Sequence, residues 1–337
     1  MGGRLLKSWL AKPLLNLHKI LERQTALEEL VLNSEAKSNL QEKLSFISDL
    51  ERLSGKIGYG KATPKDLLGL KESLRMIPQI KQLLESFKSS LLQKIKDSFP
   101  QIEDMVNLIE NSIADNPPLV LNEGGIIKKG YDAELDNLRD LIHKNKEWIL
   151  NLQKEEREKT RISSLKVGYN QVFGYYIEVT TPHLSKVPQN YIRKQTLTNA
   201  ERFITPELKE REDLILNAQE KINQKEYELF LQIRSQVAER TKDIQKTAEL
   251  LSTMDVLTSL ASVATDFGYV KPEVNQSNEI LIEEGRHPVL ERVLPSGSFI
   301  PNETTLNNSD LIHIITGPNM AGKSTYLRQV SLIVLLA

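Results

Sequence analysis

The chain changes its local pattern partway along, and that change constrains the fold more than any other feature. From about residue 4 to 115, and again from Asp132 to about Arg161, apolar side chains recur at three- and four-residue spacing. Between Leu165 and Pro206 the spacing gives way to short aromatic and β-branched runs: Leu165 to Asn170, Tyr175 to Thr180 and Tyr191 to Leu197, with a turn near Phe173-Gly174. Helical spacing then returns from Glu207 to about Phe267 and ends at Gly268. A small sheet inserted at the far tip of an antiparallel helical pair accounts for this order. The chain goes out along one helix, folds a sheet and comes back along another. The outgoing stripe is Leu135, Leu138, Leu141, Ile142, Trp148, Ile149 and Leu152. At 1.5 Å per residue that helix would run about 45 Å, more rod than globule.

Punctuation supports the same plan. Leu5, Leu6, Trp9, Leu10, Leu14, Leu17 and Leu21 form a first stripe, which Pro13 breaks or kinks. Thr63-Pro64 and Thr205-Pro206 each place a capping residue before a first-turn proline. Asp115-Asn116-Pro117-Pro118 and Glu123-Gly124-Gly125 mark a connector. From Pro272 the pattern shifts once more: Ile280-Leu281-Ile282 predicts a short strand, Leu311-Ile312-His313-Ile314-Ile315 a buried one, and Asn302 to Asp310 a polar turn. The run Ser331 to Ala337 has no glycine cap or polar tail after it, so the chain is expected to be a piece of a longer protein.

Composition enters as a filter. Lys plus Arg total 44 and Asp plus Glu 45, a net charge of −1, which removes any bulk electrostatic drive toward nucleic acid or anionic membrane. Binding of that kind must come from a local patch. Residues 165–206 supply one, with Lys166, Lys186, Arg193, Lys194 and Arg202 against only Glu178 and Glu201, beside the donors Asn190, Thr198 and Asn199. Such groups suit phosphate contacts, which position DNA without reading its sequence. Arg193, Lys194 and Arg202 are the first candidates because they flank the last strand. The plainer alternative is a solvated sheet. The aromatics Tyr169, Phe173, Tyr175, Tyr176, Tyr191 and Phe203 are expected to form its core in either case, since duplex DNA exposes no base faces for stacking. The charged faces of 132–161 and 207–250 are expected to be solvated helix surfaces. Cysteine is absent, which excludes disulfides, thiolate zinc sites and cysteine nucleophiles and predicts a reducing, cytoplasmic setting. The five histidines lack metal-ligand spacing, and His287 before Pro288 is expected to be a structural hydrogen-bonder. No secretory leader or membrane span is evident.

Gly317-Pro318-Asn319-Met320-Ala321-Gly322-Lys323-Ser324 satisfies G-x-x-x-x-G-K-[ST] at every fixed position. It follows an apolar run and opens a helical pattern at Thr325. Glycines let successive N–H groups face phosphate oxygens, and the helix start adds partial positive charge. Lys323 would neutralise the β/γ-phosphates and Ser324 would ligate Mg²⁺. Hydrolysis also needs an acidic residue after a second apolar strand, which lies beyond Ala337, so no catalytic set is complete here.

At this loop the sequence resembles the MutS family of DNA mismatch-repair ATPases, through Ile314 to Gln329. The likeness continues in Gly3-Arg4-Leu5-Leu6-Lys7-Ser8-Trp9-Leu10, Gly124 to Tyr131, Leu165 to Asn170 with Gly174 to Ile177, Asn190 to Leu197, and Gly285-Arg286-His287-Pro288. The resemblance implies a mainly α, multidomain fold: a long-helix lever (1–161 and 209–271), a β-containing clamp (162–208) and the N-terminal part of an α/β P-loop, ABC-like ATPase domain (272–337). It implies a homodimeric ATPase that encircles mismatched double-stranded DNA and recruits a MutL-type partner, in a prokaryotic cytoplasm at the nucleoid. ATP and Mg²⁺ would be held by Gly317 to Thr325, with Phe299 stacking on adenine. Taken alone, Phe299 reads more readily as a local packing plug than as a base platform. Lys166, Arg193, Lys194, Asn199 and Arg202 would touch DNA. Ala321 stands where the family often has Gly, at a free position of the motif. No Phe is followed two residues later by Glu, so the mismatch-reading motif is absent. Two alternatives stay open: a MutS-like homolog acting on branched DNA, and a DNA-clamp or scaffold module with a non-functional P-loop.

Overall fold

The computed structural model describes residues 1–118, 120–295 and 297–337. Eight helices come first: α1 (Gly2–Ala11), α2 (Leu17–Leu32), α3 (Ser34–Ser45), α4 (Leu50–Gly58), α5 (Pro64–Arg75), α6 (Ile77–Leu84), α7 (Ser90–Asp97) and α8 (Glu103–Ser112). Then follow α9 (Ala133–Thr160), strands β1 (Lys166–Asn170), β2 (Gly174–Thr180), β3 (Ile192–Thr196) and β4 (Ala200–Ile204), and helices α10 (Pro206–Glu239) and α11 (Thr241–Asp266). The remainder holds β5 (Ile280–Gly285), the short α12 (Leu290–Val293), β6 (Asn302–Leu306) and α13 (Lys323–Leu336). Among the described residues no helix is long and apolar enough to cross a membrane.

Local chemistry places the boundaries. The break around Pro13 separates α1 from α2, whose first turn is capped where the Lys19 N–H donates to Asn16 Oδ1 at 3.0 Å. At Thr63-Pro64 the capping is reciprocal: the Asp66 N–H donates to Thr63 Oγ1 at 3.2 Å and the Thr63 N–H to Asp66 Oδ2 at 2.9 Å. Asp132 caps α9 by accepting from the Leu135 N–H at 2.8 Å, and Arg161 ends it in the left-handed conformation, φ 57°. The helical pattern expected from Glu207 to Phe267 is in fact two helices, broken at Arg240, which turns to bond Asp243 through its own Nε at 2.5 Å. Neither Gly nor Pro marks that break, so periodicity passes through it.

The chain forms two compact units: residues Met1–Gly55, Glu72–Ile102 and Arg240–Ala337, and residues Lys56–Lys71 and Glu103–Glu239. In the first, α11 packs against α1, α2 and α3, burying Leu251, Met254, Leu257 and Ala261 together with Ala26, Leu30 and Leu40. Each of these leucines and the methionine contributes about 1.5–3 kcal/mol on burial, and each alanine methyl less. In the second, α9 and α10 run antiparallel, as the polar pairs between them show. Asn145 Oδ1 accepts from Arg211 at 3.2 Å, while Glu134 meets Lys225 at 2.5 Å, further back along α9 and further on along α10. The four strands between these helices form one antiparallel sheet in the order β1-β2-β4-β3. The insert on a helical pair is therefore as expected, with β4 as a strand that the sequence pattern did not suggest.

Three expectations are corrected. Leu311 to Ile315 is not a buried strand: it has no strand partner among the described residues, and Ile312 and Ile314 are 80% and 86% exposed. Unpaired backbone groups cannot be buried, so an apolar run without ladder partners stays in water. The segment expected as a polar turn instead contains β6, which pairs antiparallel with β5, Leu281 facing Thr305 and Ile282 facing Thr304. The mainly α reading holds, but the parallel sheet of an α/β P-loop domain is not formed by the described residues. The sheet's aromatics also divide. Tyr191 and Phe203 are buried, ring centroids 5.9 Å apart, whereas Tyr169 and Phe173 are 54% and 42% exposed.

Candidate functional site

The loop from Gly317 to Gly322 leads directly into α13. Gly317 (φ 150°), Met320 (φ 65°) and Gly322 (φ 85°) are interspersed among ordinary residues, which curls the backbone. Gly322 occupies the N-cap of α13 and provides no side chain to cap it. The first-turn N–H groups of α13 have no partners within the helix and remain available to an anion. Lys323 folds back over the loop, its ammonium donating to the carbonyl oxygens of Gly317 at 2.6 Å and Pro318 at 2.5 Å. Asn319, Ala321 and Ser324 are exposed, with Thr325 half-buried behind them. A curled loop with an ammonium folded over it and an exposed hydroxyl on the next residue fits a polyphosphate and its divalent cation. Phe299 lies half-buried on the loop between α12 and β6, and no ring contact engages it among the described residues.

The helix behind the loop is held by directional bonds. Gln329 is the one buried residue of α13; its Nε2 donates to the Gly285 carbonyl at 2.9 Å and its Oε1 accepts from Asn302 Nδ2 at 3.4 Å. A Cβ on Gly285 would lie 2.8 Å from Gln329 Nε2 and 2.9 Å from the Asn302 carbonyl, so glycine is required at the bulge. Tyr326 adds a hydroxyl contact with Thr304 Oγ1 at 2.8 Å. Nearby, His287 Nδ1 accepts from the Val289 and Leu290 N–H groups, the structural role expected of it.

On the β sheet, register sorts the candidate cations onto different faces. One row crosses all four strands as Lys166, Glu178, Arg202 and Gln195, and the adjacent row as Val167, Ile177, Phe203 and Arg193. Arg202 is committed within its row: Nε donates to Glu178 at 3.0 Å, Nη1 to Gln195 at 3.0 Å, and the guanidinium lies 4.1 Å from the Tyr176 ring centroid. Arg193 meets Glu201 at 3.4 Å while staying largely exposed. Lys194 falls in the bulge between Arg193 and Gln195, exposed on edge strand β3. Among the described residues neither Lys194 nor Lys166 has an ion-pair partner. Asn199 is exposed, and its carbonyl accepts from the Thr181 N–H at 3.1 Å.

Three inward-facing glutamates were missed by reading the charged helix faces as solvated. Glu226 accepts from the buried Ile126 N–H at 2.7 Å and from Arg139 at 2.5 Å. Glu212 accepts from the Tyr175 N–H at 2.9 Å and from Lys209, and fills the space a Cβ on Gly174 would need. Glu156 accepts from the Tyr191 hydroxyl at 2.6 Å; burial and that carboxylate push the tyrosine well above its ordinary range. The donors on Ile126 and Tyr191 are buried and that on Tyr175 partly so, and each glutamate gives its donor an acceptor. Periodicity gives no warning of this, although Gly174 at the start of β2, where a Cβ would meet Glu212, is a usable hint.

A long-helix body with a β insert, carrying a Gly-rich loop of phosphate-binding signature at an uncapped helix start, is the class of protein that fold and site define. Residues 1–261 match the family model described as MutS domain III, and residues 313–337 that of MutS domain V. The chain belongs to the MutS family. It is 52% identical to the DNA mismatch repair protein MutS of Halothermothrix orenii, 51% to that of Alkaliphilus oremlandii and 47% to that of Methanosarcina barkeri. All of this chain is covered in each alignment, and it spans 38% of the length of each relative.

Proposed function

We propose that this chain is part of a DNA mismatch-repair protein, in which the β sheet holds duplex DNA by its backbone and the Gly317–Thr325 loop binds ATP. Residues 1–161 and 209–271 act as a lever, 162–208 as a clamp and 272–337 as the start of an ATPase domain. The observation that carries the proposal is the uncapped start of α13 with Lys323 folded over a loop that holds three positive φ angles. Phosphate oxygens would take the first-turn N–H groups and draw Lys323 off the Gly317 and Pro318 carbonyls. The Ser324 hydroxyl would hold Mg²⁺, which when bound neutralises phosphate charge and fixes its orientation. Phe299 is assigned to the adenine. Self-association, a MutL-type partner and a cytoplasmic, nucleoid-associated setting belong to the same reading of the whole protein.

On the sheet, Lys194, Arg193, Lys166 and Asn199 are assigned to phosphates. Arg202, whose donors are engaged by Glu178 and Gln195, is assigned to holding their spacing. Duplex binding is then weak, indifferent to mismatches and steeply salt-dependent. A salt titration of Arg193→Ala/Lys194→Ala lowers the log-affinity slope by about 0.9 per lost contact, equally for matched and mismatched duplexes. Identical slopes, or loss confined to mismatched DNA, would overturn the assignment. For the loop, Lys323→Ala abolishes binding of a fluorescent ATP analogue with the helical body intact.

A further inference from the structure

We infer that Met320 is a peroxide-oxidisable modification site, and that its sulfoxide competes with nucleotide for the donors of the loop; the second half rests on the nucleotide reading above. The chain has no cysteine and five methionines, so methionine is its only sulfur chemistry. Met105 and Met254 are buried and Met1 and Met76 half-buried, whereas Met320 is fully exposed. Methionine oxidation follows exposure, which sets Met320 apart from the other four. Its backbone holds φ 65°, a conformation non-glycine residues rarely adopt, and it stands three residues before Lys323. The loop around it is lightly tied: among the described residues the Ala321 N–H reaches the Pro318 carbonyl at only 3.4 Å, two bonds come from Lys323, and the Tyr326 N–H donates to the Gly322 carbonyl at 2.9 Å at the helix start.

The chemistry is an oxygen transfer. A sulfur lone pair of Met320 attacks peroxide, the S–O bond forms as the O–O bond breaks, and water leaves. Sulfur is oxidised by two electrons and peroxide is reduced. The product exchanges an apolar thioether for a strong acceptor on a long side chain with three rotatable bonds. Its oxygen can accept from Lys323 or from the first-turn N–H groups of α13, the donors that phosphate requires. Methionine sulfoxide reductases reverse the change, so the site is a switch and not simply a lesion.

The test is graded hydrogen peroxide treatment of the folded 337-residue chain, followed by peptide mass mapping, amide exchange and titration with a fluorescent ATP analogue. Met320 gains its oxygen before the other four methionines, amide exchange slows at Ser324 and Thr325, and analogue affinity falls about tenfold, the loss of one charge-assisted hydrogen bond. Reductase treatment restores it. Whatever affinity Met320→Leu starts from, peroxide leaves it unchanged. Oxidation of Met105 or Met254 first, unaltered amide exchange after Met320 is oxidised, or equal peroxide sensitivity in Met320→Leu would overturn the inference. Should untreated protein bind no analogue, the nucleotide reading fails, while mass mapping and amide exchange still decide whether the sulfoxide forms and engages the loop.

Discussion

In the inserted sheet every strand finds a partner within its own short segment: β1 pairs with β2, β2 with β4, and β4 with β3. Leu311 to Ile315 is more apolar than any of them, yet it lies in water as irregular chain. Strand-forming residues are therefore not enough. What separates the two regions is the presence of a ladder to satisfy backbone N–H and C=O groups, which must be in place before side chains can be buried. The sheet has this ladder and, in addition, buried carboxylates that fasten it to α9 and α10. The Gly317–Ser324 region has β5 and β6 paired with each other and, among the described residues, nothing paired with the run that follows.

The largest expected effect tests this contrast directly. Amide exchange at Ile177 and Val179 should be slower than at Ile312 and Ile314 by about a thousandfold or more, since the first pair opens only with its sheet. Equal protection would break the comparison. Next come the glycines. A Cβ on Gly174 would lie 1.6 Å from Glu212 Oε1 at φ 75°, whereas nothing lies within 4 Å of one on Gly322. Gly174→Ala should cost about 3 kcal/mol or more, through left-handed strain and a displaced buried carboxylate. Gly322→Ala should cost about 1 kcal/mol, from strain alone. Thermal melts with exchange at β2 amides measure both. Glu156→Ala should cost about 1–3 kcal/mol by stranding the Tyr191 hydroxyl. A double-mutant cycle with Tyr191→Phe should recover most of that loss.

The smallest effect lies in the second region. Tyr269 OH donates to Glu291 at 2.5 Å, and burial together with that carboxylate pushes its pKa up to about 12. A raised tyrosine pKa means that folding favours the neutral phenol. Its contribution is fully present below about pH 10, the ordinary tyrosine value. It is then lost as pH rises through about 12. Tyr269→Phe should flatten this alkaline loss, followed by tyrosinate absorbance and unfolding at each pH. An unchanged profile would remove Tyr269 from the account.

How legible this was in the sequence depends on whether a residue's role is local. Asp132, Thr63-Asp66 and Thr205 announce helix starts because a cap acts within one turn. Three of the four sheet strands were visible because alternation is a short-range signal. β4 was hidden, since Ala200 to Ile204 carries two charges that pair only across the sheet, Glu201 toward Arg193 and Arg202 toward Glu178. The Gly317–Ser324 motif was fully readable, but the strand expected before it depends on distant partners. Glu156, Glu212 and Glu226 look like any surface glutamate until their partners are known.

Helix α13 carries a further consequence. A helix seated by a greasy stripe can slip or roll by small amounts, because dispersion contacts are non-directional. The one buried residue of α13 is an amide engaged at both ends by Gly285 and Asn302. Such a joint is keyed, as a shaft is keyed to a wheel: it sets both how far the helix is pushed in and how it is turned about its axis. Gln329 is fewer than two helical turns from Lys323, so the direction from which the lysine ammonium reaches over the Gly317 and Pro318 carbonyls is indexed by a side chain that never touches it.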